Sequence, residues 1–264
     1  GFDLIRADFA ELIHPLAVRL ATRHPADPRA QQLRGLAARA IGQSGEALSA
    51  FAAAAMVAPA DPLIAHSHAR AALEAGRHSS ALFERALQLA PNDGNVLLGR
   101  TAALIAEGKA HKALDDLVMI LRSNPLWLDG HRSLAHLRGQ LGLDPCAALA
   151  EAISAHPRQL ELHRMMVTVL LEARAFDRAF EAVKSAQVHL GPDALTLYGA
   201  HAASERGDLA QADALFEAAL PASTYQDASL YARHLIRCHR FETARDFLEP
   251  WLDKDQEHYL WPYV

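Results

Sequence analysis

At 264 residues, with 51% hydrophobic and 22% charged residues, the chain can bury a continuous core, which excludes an intrinsically disordered protein. Its net charge of −5 gives no whole-chain electrostatic reason to bind nucleic acid, and no stretch reaches the roughly 18 apolar residues that cross a bilayer. The only cysteines, Cys146 and Cys238, are too few and too far apart for a disulfide framework or a Cys-based zinc site. A reducing compartment, the cytoplasm, is therefore expected. Aromatic residues make up 6%, because alanine supplies much of the apolar count, and alanine suits closely packed helices. Lysine occurs only at 109, 112, 184 and 254, and this arginine bias points, with the alanine, to a GC-rich bacterial genome.

The chain opens Gly1-Phe2-Asp3-Leu4, with neither an initiator methionine nor a basic leader, and is read as cut from something longer. Residues 2–24 read as a leading helix stopped by Pro25, so residues 1–27 are set apart as the end of a preceding unit. A repeat begins at residue 28. In residues 28–61, Gly35, Gly42, Ala47, Phe51, Ala54 and Pro59 fall at positions 8, 15, 20, 24, 27 and 32. Small residues at 8, 20 and 27 let two helices approach, glycine at 15 turns the chain between them, and proline at 32 stops the second helix. Asp27-Pro28 and Asp61-Pro62 each place an N-cap carboxylate before a proline at the first helical position.

The same phase recurs down the chain. Residues 62–93 carry Phe83, Ala86 and Pro91 after a two-residue deletion beside Gly76. Residues 94–127 carry Gly108, Ala113, Leu117 and Pro125. Residues 128–159 carry Leu149, Ala152 and Pro157, again two residues short. Residues 160–193 carry Ala179, Val183 and Ala186; residues 193–226 carry Ala200, Gly207, Ala212, Phe216 and Ala219. Residues 225–258 carry Ala232, Ala244 and Leu248, with Trp251 in place of the usual alanine. No period-two strand pattern interrupts the series.

These signature positions resemble those of the 34-residue tetratricopeptide repeat. The resemblance implies an all-α fold, a right-handed α-solenoid of antiparallel helix pairs, with about seven repeats over residues 28–258. Residues 259–264 are then the start of a truncated following helix. Position 4, a bulky aromatic in the family pattern, holds Gln31, Ala65, Leu97, His131, His163, Thr196 and Ala228 here, which weakens the expected packing of the first helices.

In such repeats the first helix of each pair lines a concave groove, through positions 2, 5, 9, 12 and 13. Positions 5 and 9 of this chain include Gln32, His66, Arg70, Arg132, His136, Arg164, Thr168, His201 and Arg233; none of the fourteen residues there is acidic. Glu74, Glu172 and Glu205 at positions 12 and 13 dilute the pattern, while Arg39 and Arg237 partly restore it. One reading is a basic, partly histidine-lined groove for an acidic peptide, a carboxylate or a phosphate, since guanidinium groups offer paired donors to such anions. The other is an ordinary solvated helix face. Neither the carboxylate clamp of the chaperone-binding members nor the asparagine ladder of the sugar-transferring relatives is present in the sequence.

A binding scaffold for a protein or peptide partner follows, with no cofactor and no catalytic residues in this chain. The histidines lack metal-ligand spacing, and no nucleophile elbow, phosphate loop or dinucleotide fingerprint occurs. Trp251, Tyr259, Trp261 and Tyr263 crowd the last fourteen residues, and an aromatic solenoid end predicts burial against a missing C-terminal domain or a second copy, as a homodimer. The tail from His258 to Tyr263 resembles the junction in bacterial proteins whose repeats precede a 2-oxoglutarate- and iron-dependent oxygenase domain. That resemblance implies, as the alternative, a substrate-recruiting or dimerising region of a larger enzyme; no histidine here is followed by Asp two residues on, as its iron triad requires.

Overall fold

The structure is a computed structural model that describes residues 9–219 and 224–252. Among these residues all regular structure is helical, and two compact units divide the chain, Gly1–Ser123 and Asn124–Val264. The first unit contains α1 (Ala10–Arg23), α2 (Pro28–Ala40), α3 (Ser44–Val57), α4 (Pro62–Glu74), α5 (Ser80–Leu89), α6 (Gly94–Ala106) and α7 (Ala110–Ser123). The second contains α8 (Leu128–Gln140), α9 (Ala147–Ala155), α10 (Leu160–Glu172), α11 (Phe176–Leu190), α12 (Thr196–Glu205), α13 (Leu209–Ala219), α14 (Tyr225–Arg237) and α15 (Phe241–Leu252). Helices pack chiefly on their neighbours in sequence, and first helices also touch the next first helix, α4 on α6, α8 on α10 and α12 on α14. This is the α-solenoid arrangement, in which each pair contacts only the pairs beside it.

One large side chain from each second helix plugs its own pair. Phe51, Phe83, Leu117, Leu149, Val183, Phe216 and Leu248 all stand at position 24, and all are buried. Opposite them, position 8 is kept small or slim: Gly35, Ala69, Thr101, Ala135, Val167, Ala200 and Ala232 are buried too. The fit is tightest in the first pair, where a Cβ added to Gly35 would lie 2.8 Å from the Phe51 ring. Each such plug is worth about 1.5–3 kcal/mol of transfer free energy.

The turn at position 15 is uniform. Gly42, Gly76, Gly108, Gly142 and Gly207 have positive φ, and so do the two residues that replace glycine there, Arg174 (φ 56°) and His239 (φ 58°). In every pair the N–H one residue further on reaches back to the first helix, as from Gln43 to the Ala38 carbonyl and from Arg240 to that of Leu235, 2.8 and 2.9 Å. Such a left-handed helix stop suits glycine, because a Cβ crowds the carbonyl. Replacing His239 by Gly is therefore expected to raise stability by about 1 kcal/mol, read as a rise in the thermal midpoint followed by circular dichroism.

Helix starts differ between the units. In the first, Asp27, Asp61 and Asp93 accept backbone N–H bonds at the starts of α2, α4 and α6, as the Asp-Pro pairs suggested. In the second, α8 and α10 have no capping side chain, and α12 begins only at Thr196, after Leu195 in a left-handed conformation. Thr224 and Asp227 cap α14 reciprocally.

The polar residues at position 4 turn out to hold repeats together rather than loosen them. His131 Nε2 lies 2.8 Å from the Pro125 carbonyl and His163 Nε2 2.9 Å from that of Pro157, in each case six residues earlier. Gln31 makes the same reach, donating to the carbonyls of Ala21 and Pro25 at 3.3 and 3.4 Å. The donor ties the first helix to the carbonyls that end the preceding second helix, which have no partner in their own helix. An aromatic could fill the volume but could not supply that bond.

His131 is thereby fixed as the neutral tautomer with its proton on Nε2, and its Nδ1 is buried without a partner. Burial holds its pKa below the usual histidine value, against the opposing pull of the Pro125 carbonyl; burial does the same at His66, His68 and His201. The unfolded chain then binds more protons than the folded one as pH falls below about 6.5, so these groups leave stability intact above that pH and remove it below. The thermal midpoint is expected to drop by several degrees between pH 7.5 and 5.5. His131→Gln, which keeps a donor like that of Gln31, should flatten that slope.

Candidate functional site

The groove-position residues fall in both units. In the first, Gln32 and His66 are half-buried on α2 and α4, and exposed Arg70 is ion-paired to Glu74 at 2.9 Å. In the second, Arg132 and His136 are exposed on α8, with His136 Nε2 2.9 Å from the Gln140 amide. On α10, Arg164 is ion-paired to Glu161, and the Thr168 hydroxyl is spent on the Arg164 carbonyl, 2.9 Å. Arg237 pairs with Glu205 at 2.5 Å. Acids at positions 2 and 13 thus sit directly against arginines, and the first-helix face is less basic than positions 5 and 9 alone suggest.

His201, Arg233 and Arg237 do come together. They line an open cleft of about 490 Å³ with Leu171, Arg174, Phe176, Glu205 and Ile236. The cleft draws on α10, the turn at position 15, and α11, α12 and α14, all within the second unit. Half-buried His201 stays neutral near pH 7, since burial lowers its pKa and Arg233 and Arg237 add to that, while Glu205 opposes it. Three guanidinium groups therefore face one carboxylate. Arg174, on the rim, makes no ion pair among the described residues, and it holds a backbone conformation that costs about 1 kcal/mol or more for a residue with a Cβ. Arg132, His136, Arg164 and Thr168 do not line this cleft.

Arg174, Leu171, Phe176 and Ile236 escaped the reading of the sequence, which considered only first-helix groove positions. A signal was nevertheless present: Arg174 stands where the preceding four repeats and the next one have glycine.

A second constellation has the outline of a nucleophilic triad. Ser204 Oγ lies 2.9 Å from His234 Nδ1, and His234 Nε2 lies 3.1 Å from Asp213, which Arg240 clamps. Burial would raise the pKa of Asp213, but hydrogen bonds from Arg240 and His234 outweigh it and bring the carboxyl below its usual range. Ser204 and His234 are 2% and 1% exposed, with the His234 ring stacked on Phe216. A nucleophile must reach its substrate, and this serine reaches none. The network instead locks α12, α13 and α14 together.

The repeat is of the tetratricopeptide type. Its 34-residue phase, the plug at position 24, the small residue at 8 and the left-handed stop at 15 are all realised in the helix pairs. No protein-family model matches the chain, and no curated protein does. Among solved structures, it is similar to a tetratricopeptide repeat protein from Parabacteroides merdae, with 18% identity over 89% of this chain and 95% of that one, at a TM-score of 0.47. MamA from Desulfovibrio magneticus, from its residue 41 onward, is 17% identical over 61% of this chain and 93% of that one, at a TM-score of 0.41. Yeast Tom70 is 15% identical over 91% of this chain and 54% of its own, at a TM-score of 0.49. No partner or activity follows from likenesses at this level.

In this tetratricopeptide-type array, Trp251 is half-buried, packed with Phe247 on Ala228, Ala232 and Leu248 of the last pair. Tyr259, Trp261 and Tyr263, the other interface candidates, lie outside the described residues, as do residues 259–264 as a whole. Among the described residues no three His, Cys, Asp or Glu side chains gather as a metal site would require, and no helix is long and apolar enough to cross a membrane. Burial and the nearby Asp144 carboxylate push the Cys146 thiol up to about 11, so it stays protonated and unreactive.

Proposed function

We propose that this chain is a protein- or peptide-binding scaffold whose recognition site is the cleft around His201. The observation that carries this reading is the gathering of Arg174, Arg233 and Arg237 beside the apolar wall of Leu171, Phe176 and Ile236, with Glu205 as the one opposing charge. Such a surface suits a carboxylate or phosphate followed by an apolar side chain, the guanidinium groups orienting the anion and the wall supplying desolvation. The preference for an acidic ligand rests on this cleft, not on the wider first-helix face, where Glu74 and Glu161 already engage Arg70 and Arg164.

Arg174 gives the sharpest test, because its conformation and its charge act in opposite directions. Arg174→Gly should raise stability by about 1 kcal/mol through relief of the left-handed backbone. It should also weaken binding by about 1.5–3 kcal/mol, the worth of a charge-assisted bond. Peptides selected from a displayed random library on the wild-type chain would serve as probes. The reading expects them to be rich in Asp or Glu next to an apolar residue, and to lose about tenfold or more in affinity on Arg174→Gly and on Arg233→Ala. Selected peptides without acids, or with unchanged affinity for both variants, would rule the cleft out.

A further inference from the structure

Helix α1 has two apolar faces. Ile13, Ala17 and Ala21 are buried and turn toward α2, where Ile13 and Ala17 pack with Leu33 and Ala37. Phe9, at its start, and Leu12, Leu16 and Leu20, at spacings of three and four, form a second stripe that is 50%, 68%, 57% and 41% exposed. A stripe of that spacing is one face of a helix. The repeat itself says what kind of element covers such a face. One repeat length further on, Ala50 and Ala54 of α3 occupy the places of Leu16 and Leu20, and both are fully buried in the pair that α3 forms with α2. In α1 the same positions carry side chains three carbons larger and are open to solvent.

The charges beside the stripe are of one sign. Arg19 and Arg23 fall within about 60° of Leu16 around the helix, whereas Glu11, the one acid of α1, falls on the far side. His14 is turned away as well, held by Glu46 of α3 at 3.0 Å.

We infer that this stripe is a docking face for an amphipathic helix of another protein, one with an apolar stripe edged by acidic residues. A helix fits because a helix fills the equivalent place against α3, and it buries its own backbone hydrogen bonds while presenting a matching ridge. An acidic edge fits because Arg19 and Arg23 make no ion pair among the described residues and would gain one. The surface is separate from the cleft around His201, so either site can fail without the other.

The test uses the full 264-residue chain and two synthetic helical peptides sharing one leucine stripe, edged by Glu in the first and by Lys in the second. The Glu-edged peptide is expected to bind at least about tenfold more tightly by fluorescence anisotropy. Leu16→Glu should abolish that binding, and Arg19→Glu with Arg23→Glu should reverse the preference. Because Leu16 is exposed, its variant should keep the wild-type thermal midpoint; if it does not, Leu12→Glu takes its place. Equal affinity for the two peptides, or binding indifferent to both leucine variants, would overturn the inference. So would concentration-dependent self-association in sedimentation that Leu16→Glu removes, since the occupant would then be a second copy.

Discussion

Phe51→Ala is expected to destabilise the first unit by about 3–5 kcal/mol, the range for emptying a buried phenylalanine site. Phe51 is fully buried between α2 and α3 and packs against Ala38, Ala47 and Ala71, with Leu36 and Leu48 closing the sides. The surrounding residues are mostly alanines, which have no rotamers with which to fill the hole, so little relaxation is available. The close approach at Gly35 gives a second, sharper reading. With a Cβ only 2.8 Å from the ring, Gly35→Ala should destabilise the wild-type chain, although alanine is the better helix former. In the Phe51→Ala background the same methyl enters empty space and should stabilise. A double-mutant cycle by urea denaturation, followed by far-ultraviolet circular dichroism, would show this reversal of sign.

Glu107→Gln is the second large effect expected. Glu107 stands in the turn after α6, yet its carboxylate serves the preceding repeat. It accepts the backbone N–H groups of Ser79 and Ser80 at 3.0 and 2.9 Å, the Ser80 hydroxyl at 2.8 Å and the Lys109 ammonium at 2.7 Å. The carboxylate therefore caps α5 from outside its own repeat, at the end of the helix where the backbone dipole favours negative charge. These bonds, with Lys109 foremost, bring the Glu107 pKa down to about 2, although burial opposes them. The side chain is only 6% exposed, so solvent screens the interaction little. Each pKa unit corresponds to about 1.4 kcal/mol, which makes the ionised form worth on the order of 3 kcal/mol to the folded state. A carboxylate with a depressed folded pKa stabilises above its unfolded value of about 4.5, and that contribution is lost as pH falls toward 2. Glu107→Gln should lose most of it already at pH 7, and its stability should then vary less than the wild type's below pH 4.5.

Glu107 also accounts for how the shortened repeat is tolerated. The deletion beside Gly76 leaves α5 with 10 residues where α3 has 14, because the first turn is missing. The Glu107 carboxylate satisfies the donors that this turn would have used. The other short repeat, whose α9 has 9 residues, is served differently. Asp144 accepts from the Cys146 N–H at 3.2 Å and pairs with Arg178 of the following repeat at 3.0 Å. Both deletions are visible in the sequence, whereas the residues that compensate for them lie 27 and 34 positions away.

The clefts and faces divide along the same line. His201, Arg233 and Arg237 were legible as site candidates because a fixed repeat position places them on one side of their helices. Arg174 was not, because it belongs to a turn whose conformation in other repeats is set by glycine. The acids that occupy Arg70, Arg164 and Arg237 were visible as letters, but their pairing depends on which rotamers the neighbouring helices leave open. His131 and His163 looked like losses from an aromatic position until their distance to Pro125 and Pro157 showed a bond.

By itself, the sequence determined the all-helical class, the 34-residue phase, the pairs of helices and the position of the core. These are local and periodic properties: a small residue at 8, a plug at 24 and a stop at 15 act within one pair, and repetition makes each of them visible several times over. Only the tertiary structure decided which charges remain available, which histidines are buried and neutral, and which repeat caps its neighbour. Those outcomes turn on contacts between side chains of different repeats at distances of about 3 Å, a scale that the repeat phase does not specify.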